Sequence, residues 1–336
     1  MDSLTHIALG ACMGEAFAGK TVGKKAMLWG ALAQSLPDID FVAGTWLHTS
    51  DELLAHRGFT HSFLFCFLAA PIMAFFAERW HRPHNISFRK WWLFFGAAIF
   101  IHVFIDAFNN YGVGWFEPFS HQRISFNSVY VADPFLSVWP AIALAALLVL
   151  KRTNQRRRFW WAFGLALPAL YLLYSLNNKR IIDTELKNSL QKQNISYTKY
   201  FSTPAPLQNW LWFVVAGTDS GYNVGYRSLY DKTENIHFTY FLRKDSLLTT
   251  VKNTKEVKQL VRFSQDFYTV EKWNDTVVFN DLRFGQIIGW QKPENHFVFH
   301  YFLDYPEANG IVVQRGRFAE WDKEVFRNFL RRIRGE

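Results

Sequence analysis

The chain has 336 residues, room for two domains at ~150 residues each. Half of it is hydrophobic, with 34 Phe and 14 Trp, and the formal net charge is +9. The basic residues fall largely in short loops between apolar runs, not on a polar face with stacking aromatics. That pattern argues against nucleic-acid binding and for membrane topology determinants. Cys12 and Cys66 lie in apolar stretches, without disulfide or metal-ligand spacing, and read as buried core residues.

In chain order, residues 4–18 are small and apolar and predict a tightly packed helix, with Asp2 or Ser3 as its cap. No basic leader precedes this stretch and Glu15 interrupts it, so no cleavable signal peptide is expected. A lysine-rich turn (19–25) leads to a second short helix (26–36) that Pro37 stops. Both are shorter than the ~20 residues that span lipid comfortably, so they are expected to be buried, re-entrant or only partly spanning. LPDID (36–40) reads as an extended segment and 41–55 as a connecting loop. HRGFTHS (56–62) reads as a loop entering a helix, with Gly58 at the bend and Thr60 as N-cap of a helix starting at His61. Spanning segments follow at 62–80, kinked at Pro71, and at 91–108, anchored by Trp91 and Trp92. A polar-aromatic loop occupies 109–133, and two more apolar segments cover 134–150 and 159–176.

If all six apolar segments cross or half-cross, the loops alternate sides. Twelve Lys and Arg fall on one side, in 19–25, 78–90 and 151–158, against Arg57 and Arg123 on the other. The positive-inside rule makes the first side cytoplasmic. It places LPDID, HRGFTHS, the outer end of 91–108 and everything after residue 177 outside. After residue 178 the texture becomes polar and alternating. A charged helix (179–193) is followed by runs at 210–217, 222–230, 236–244, 260–273, 276–285 and 296–304, which predict an antiparallel sheet with one buried face. In the last stretch Phe326, Phe329, Leu330 and Ile333 form one stripe, either packed on the sheet or lying on anionic lipid. The expected fold is thus a mainly α membrane bundle of about six apolar helices (1–177), followed by an extracytoplasmic α+β domain (178–336).

Four stretches in the first third gather ionisable groups beside apolar flanks: DSLTHIALG with His6, LPDID with Asp38 and Asp40, HRGFTHS with His56 and His61, and HVFID with His102 and Asp106. Such groups are costly in that setting unless they meet a cation or one another. His102 and Asp106, four apart, share a helix face about 6 Å apart along the axis, and suit one metal, a bridged pair of metals, or a helix-to-helix hydrogen bond. One Asp of LPDID can bind metal while the other orients a histidine. Alone, LPDID suits an ordinary turn and His6 a satisfied core histidine. Arg57 can clamp a phosphate, stabilise developing negative charge, or pair with Asp38 or Asp40. Taken together, His6, Asp38, Asp40, His56, His61, His102 and Asp106 are the candidate metal set, with Arg57 and Asp40 as candidate catalytic residues. One or two divalent ions are expected, zinc first, with manganese and iron open. A water held there has a lowered pKa and can attack an ester. His48, His81 and His84 lie in loops. His121 is near enough in sequence to join the site, and His237, His296 and His300 read as structural.

MDSLTH, LPDID, HRGFTHS and HVFIDAFNNYG, in this order, resemble the YdjM-like family of bacterial inner-membrane metal-dependent hydrolases over roughly residues 1–175. The resemblance implies a membrane-bound hydrolase using a divalent metal, with the seven residues above as the matching polar positions. More distantly, the order His, Asp, His, HxxxD is similar to zinc-dependent phospholipase C and single-strand nucleases. Their further downstream HxxxE or HxxxD pair has no counterpart after Asp106. The expectation is a multi-pass inner-membrane hydrolase that cleaves a phosphoester, in a small molecule or a lipid, at the outer face. Its partners are the bilayer and the substrate, with no nucleic acid. A metal or proton transporter and a non-catalytic, metal-stabilised scaffold are the alternatives.

Overall fold

The structure, a computed structural model, describes residues 2–83, 86–309, 312 and 316–336. His84 lies outside the described residues. The chain forms two compact units, one of residues 1–45 and 55–176, the other of 46–54 and 177–336.

The first unit is helical. Helix α1 (Ser3–Val22) is capped by Asp2, whose carboxylate accepts from Thr5 N at 2.9 Å. It turns back into α2 (Lys25–Ser35). Small residues let the two backbones touch: a Cβ on Gly10 would lie 2.3 Å from Gly30 O, and one on Gly14 would lie 1.9 Å from Ala26 O. This close hairpin brings Gln34 and His6 to one level. A 3₁₀ helix (Pro37–Thr45) follows, and then α3 (Thr49–Ala55). The expected extended segment and the loop at 41–55 are therefore mostly helical. Pro37 ends α2, but its fixed φ also suits a first helical turn.

Helix α4 is Phe63–Trp80, two residues later than expected. Its N-cap is Ser62, whose Oγ accepts from Phe65 N at 3.0 Å, while the Thr60 hydroxyl is engaged elsewhere. Helices α5 (Phe88–Asp106), α6 (Pro134–Val149) and α7 (Arg157–Lys192) complete the element order. Among the described residues, α4, α5 and α7 are long and apolar enough to cross a membrane, and α6 is a shorter apolar helix. Phe67, Leu68, Ile72, Phe75 and Phe76 of α4 are exposed, as a lipid-facing stripe requires. The apolar segment at 159–176 and the charged helix at 179–193 are one continuous helix, because no breaker separates them. Glu15, the one carboxylate inside α1, is buried against Arg157 in a two-pronged pair at 2.7 and 2.6 Å. The charge is satisfied by a partner 142 residues away in the chain.

In the second unit, β1 (Lys199–Pro204), β2 (Leu211–Gly217), β3 (Gly221–Ser228) and β4 (Phe238–Leu242) form an antiparallel meander in chain order. A separate antiparallel sheet contains β5 (Tyr268–Trp273), β6 (Thr276–Gln286) and β7 (Phe297–Phe302). Phe201, Phe213, Val215 and Val224 pack against Leu282 and Phe297 of the second sheet. On the other face Trp212, Val214 and Ala216 meet Ile182, Leu186 and Leu190 of α7. Strand β2 is buried on both faces, which explains its nearly continuous apolar run. Two expectations are corrected. Residues 260–273 divide between α8 (Thr254–Phe263) and β5, because Asn253 caps a helix whose apolar positions follow a helical period. In α9 (Lys323–Ile333) the structure buries Val325 and Phe329, and leaves Phe326 and Leu330 exposed.

Candidate metal centre

Four side chains from three separate stretches meet inside the helical unit. Asp38 comes from the 3₁₀ helix, His61 from the short turn before α4, and His102 and Asp106 from the last turns of α5. Each offers one ligand atom, and these atoms all lie within 4.8 Å of one another. His61 Nε2 and His102 Nε2 are 3.2 Å apart. Asp38 Oδ1 is 3.5 Å from each of them. Asp106 Oδ2 is 3.4 Å from His61 Nε2 and 3.9 Å from His102 Nε2. A tetrahedral ion with ligands at ~2.0–2.1 Å needs ligand atoms about 3.3 Å apart, so this nitrogen and carboxylate set fits a zinc-like ion. His61, His102 and Asp106 are fully buried, and Asp38 is the member of the cluster that is partly open to solvent.

The outer faces of these ligands are held. His102 Nδ1 donates to Gln34 O at 2.5 Å, which leaves Nε2 to face the cluster. His61 Nδ1 lies 3.3 Å from Asp40 Oδ2. Asp106 Oδ1 accepts from His6 Nε2 at 3.1 Å, and the His6 Nδ1 side is met by Gln34 Oε1 at 3.1 Å. Gln34 Nε2 in turn donates to Ala98 O at 2.7 Å. His6 also stacks on His102, with ring centroids 3.8 Å apart.

Asp40 is the hub of the 56–61 turn. It accepts from Arg57 N at 2.7 Å, from Thr60 Oγ1 at 3.1 Å and from His56 Nδ1 at 3.1 Å. Arg57 has φ +58° and Gly58 has φ −86° with ψ −119°, outside both the helical and the extended regions, so the two residues share the bend. The Arg57 guanidinium is buried, with Nε 3.0 Å from Asp106 Oδ2, Nη1 donating to Asn109 Oδ1 at 2.8 Å, and Cζ 4.8 Å from the centre of the Tyr111 ring. The carboxylate it meets is Asp106 rather than Asp38 or Asp40. Of the seven candidates, then, Asp38, His61, His102 and Asp106 share the centre, whereas His6, Asp40 and His56 contact or flank the residues that form it.

Electrostatics follow this arrangement. Burial opposes ionisation of Asp38, but hydrogen bonds from His102 and His61 hold its carboxyl well below the usual range. Burial likewise works against Asp40, and the bonds from His56 and His61 outweigh it. Burial alone would lower the His61 imidazolium, yet the carboxylates of Asp106, Asp38 and Asp40 push its pKa up to about 9. Without a bound ion, a proton on His61 does the job of a cation among three carboxylates.

The remaining histidines are elsewhere. His81 accepts from Trp29 Nε1 at 2.7 Å, and His121 pairs with Glu117 at 2.8 Å. His237, His296 and His300 belong to the second unit. Sequence reading missed Gln34 and Asn109 and gave Thr60 the role of an N-cap. Gln34 left a signal, as a lone amide in an otherwise apolar helix; Asn109 lies within HVFIDAFNNYG, where nothing separates it from its neighbours.

A family model described as "YdjM inner membrane protein" matches residues 1–182. The chain is 28% identical over 153 residues to the inner membrane protein YbcI of Escherichia coli, covering 45% of this chain and 80% of that protein. It is 31% identical over 157 residues to the uncharacterized protein YfhP of Bacillus subtilis, covering 43% of this chain but less than half, 46%, of that one. No solved structure matches the chain. With the matched region containing the whole cluster from His6 to Asp106, the chain belongs to the YdjM inner membrane protein family.

Proposed function

We propose that the chain is a multi-pass membrane hydrolase, dependent on a divalent metal, that cleaves a phosphoester in a small-molecule, lipid or lipid-linked substrate. The observation that carries this reading is the convergence of His61 Nε2, His102 Nε2, Asp38 Oδ1 and Asp106 Oδ2, which all lie within 4.8 Å of one another, the histidine–histidine and histidine–carboxylate spacings being 3.2–3.9 Å. A divalent ion bound there supplies Lewis acidity and lowers the pKa of water at neutral pH.

The chain's own residues do the rest. His6, Gln34 and Asp40 fix ring orientations, so the four ligand atoms need little rearrangement. Arg57 balances Asp106 from outside the ligand set and brings positive charge beside the point where a phosphoryl group would gain negative charge. The partly open Asp38 marks the approach. Asp40, turned toward His56, Arg57 N and His61, acts as a positioning residue. His6 and His56 orient the carboxylates they contact, Asp106 and Asp40.

All six apolar helices would cross or half-cross, with the site and the second unit on the extracytoplasmic side, as the loop charges indicate. Reporter fusions after residues 155 and 177 test this; cytoplasmic activity from the second would reverse the sidedness. Purified protein should carry close to one equivalent of metal and hydrolyse at least one of a panel of phosphomonoesters, phosphodiesters and phospholipids. Protein that binds no zinc, manganese or iron would sink the metal reading. Metal content with no turnover across the panel would sink the phosphoesterase reading.

A further inference from the structure

The second unit carries a cavity that plays no part in the proposed hydrolysis. Its volume is about 300 Å³, at the lower end of the ~300–1,000 Å³ usual for small-molecule sites. Its walls include Gly225 and Tyr226 of β3, Gln286 at the end of β6, Gly289 and Trp290 just after it, and Arg332 of α9. All of them lie in the second unit, beyond residue 182 where the family match ends.

The backbone brings a buried acceptor to this wall. Strand β6 is irregular between Asp281 and Gln286, with Gly285 at φ +76°, and such an irregularity re-aims the side chain that follows. Gln286 is only 5% exposed. Its Nε2 donates to Pro293 O at 2.8 Å and to Asn295 O at 3.0 Å, which fixes the amide plane. Its Oε1 is buried with no hydrogen-bond partner among the described residues, a costly state for an acceptor. The Tyr226 hydroxyl accepts from the Gln286 backbone N–H, which leaves its own proton to give. A Cβ on Gly289 would lie 2.5 Å from both Gln286 Oε1 and Tyr226 Oη, so a fixed acceptor and a donor flank one point of the wall.

The rest of the lining is aromatic and electrically balanced. Tyr226 and Trp290 are both half-buried and stand edge to face, with ring centroids 6.3 Å apart. Trp290 is seated on Phe329, 4.7 Å between centroids. Arg332 donates Nη1 and Nη2 to Asp231 at 2.5 and 2.9 Å, and Nη2 also to Tyr226 O at 3.0 Å. An anion would meet a guanidinium that is already paired, together with Glu336, so the charges favour a neutral ligand.

We propose that this cavity is a saccharide site, in which one sugar ring lies against Tyr226 and Trp290 while adjacent hydroxyls bond Gln286 Oε1 and Tyr226 Oη. Each sugar hydroxyl can both give and accept a hydrogen bond, as a neighbouring acceptor and donor require, and the C–H face of the ring covers an aromatic wall without calling for charge. The site is independent of the metal cluster and of the hydrolase reading.

The test uses the full-length protein in phosphatidylcholine nanodiscs, because detergents with sugar heads would compete. Saturation-transfer NMR is run with glucose, galactose, mannose, N-acetylglucosamine, maltose and cellobiose, beside adenosine and N-acetylglycinamide as neutral probes that are not simple sugars. At least one saccharide should receive saturation. Tyr226→Phe keeps the ring and should weaken that binding about tenfold, the effect of one lost hydrogen bond, and Gln286→Met should weaken it at least as much. Tyr305→Phe, at an exposed hydroxyl that meets Asp275 away from the cavity, should leave it unchanged. In the wild type, saturating saccharide should also slow hydrogen exchange at 286–290, a readout that stands even if Gln286→Met fails to fold. Absence of signal from every saccharide, preference for adenosine or N-acetylglycinamide, undiminished affinity in folded Tyr226→Phe, or unchanged exchange at 286–290 would each overturn the proposal.

Discussion

Replacing Asp40 with Asn tests the division between residues that hold an ion and residues that hold the ligands. The two side chains have nearly the same shape, so packing is preserved. Asp40 accepts four contacts: Arg57 N at 2.7 Å, His56 Nδ1 and Thr60 Oγ1 at 3.1 Å, and His61 Nδ1 at 3.3 Å. An amide keeps one acceptor oxygen and turns the other position into a donor, which cannot satisfy N–H groups on both sides. With that oxygen at the Oδ2 position, Arg57 N, Thr60 and His61 keep an acceptor and His56 loses one, while the His61 ring faces a neutral oxygen in place of the carboxylate that fixes its tautomer. Loss of such an outer contact costs about 10–100-fold in metal affinity, or about 1.4–2.7 kcal/mol. The unmatched donors should lower the stability of the metal-free protein by about 1–3 kcal/mol. Chelator competition measures the first and thermal unfolding of apo protein the second. If Asp40→Asn binds metal as tightly as wild type, Asp40 does not orient His61. If it loses metal as completely as His61→Ala does, Asp40 is itself a ligand.

Further outcomes concern a ligand, pH and the α1–α2 hairpin. His102→Ala removes a ligand outright and should abolish metal content by elemental analysis; retention of a full equivalent would show that His102 is only a packed neighbour. With His61 at about 9 in the metal-free protein, zinc must displace its proton, so affinity should climb about tenfold per pH unit up to about pH 9 and then level off. The same shift has a definite sign for apo stability: the ionised ring's contribution is complete below its ordinary value of about 6.5 and disappears as pH rises through about 9. A chelator titration that is flat between pH 6.5 and 8.5 would refute both. Gly14→Ala would put a Cβ 1.9 Å from Ala26 O and must separate α1 from α2, with an overpacking cost of about 1–3 kcal/mol. An unshifted unfolding midpoint would show that the hairpin yields freely.

The sequence makes the ligands legible and their ranks illegible, for a physical reason. Buried imidazole and carboxylate beside apolar residues is a costly combination that must be explained by a partner, so His6, Asp38, His61, His102 and Asp106 stand out in the chain itself. Whether such a group faces the ion or a neighbour depends on rotations about single bonds, and those are set by contacts distant in sequence. His6 is turned to Asp106 by Gln34, 28 residues away, and His102 by the same residue's carbonyl, 68 residues away. Apolar helices are likewise evident from composition alone, whereas their ends depend on which of two hydroxyls caps: Thr60 is drawn off by Asp40, and Ser62 takes the position. The division of 260–273 was hidden because LVRF and FYTV are equally apolar, and only the Asn253 cap upstream separates helix from strand. The membership of 46–54 in the second unit lay furthest from reach. Its anchor is a neutral Gln on α8, some 200 residues downstream, and nothing local to either stretch points to the other. Where a polar contact spans so much chain, its residues look like ordinary surface positions, and only the fold shows that they meet.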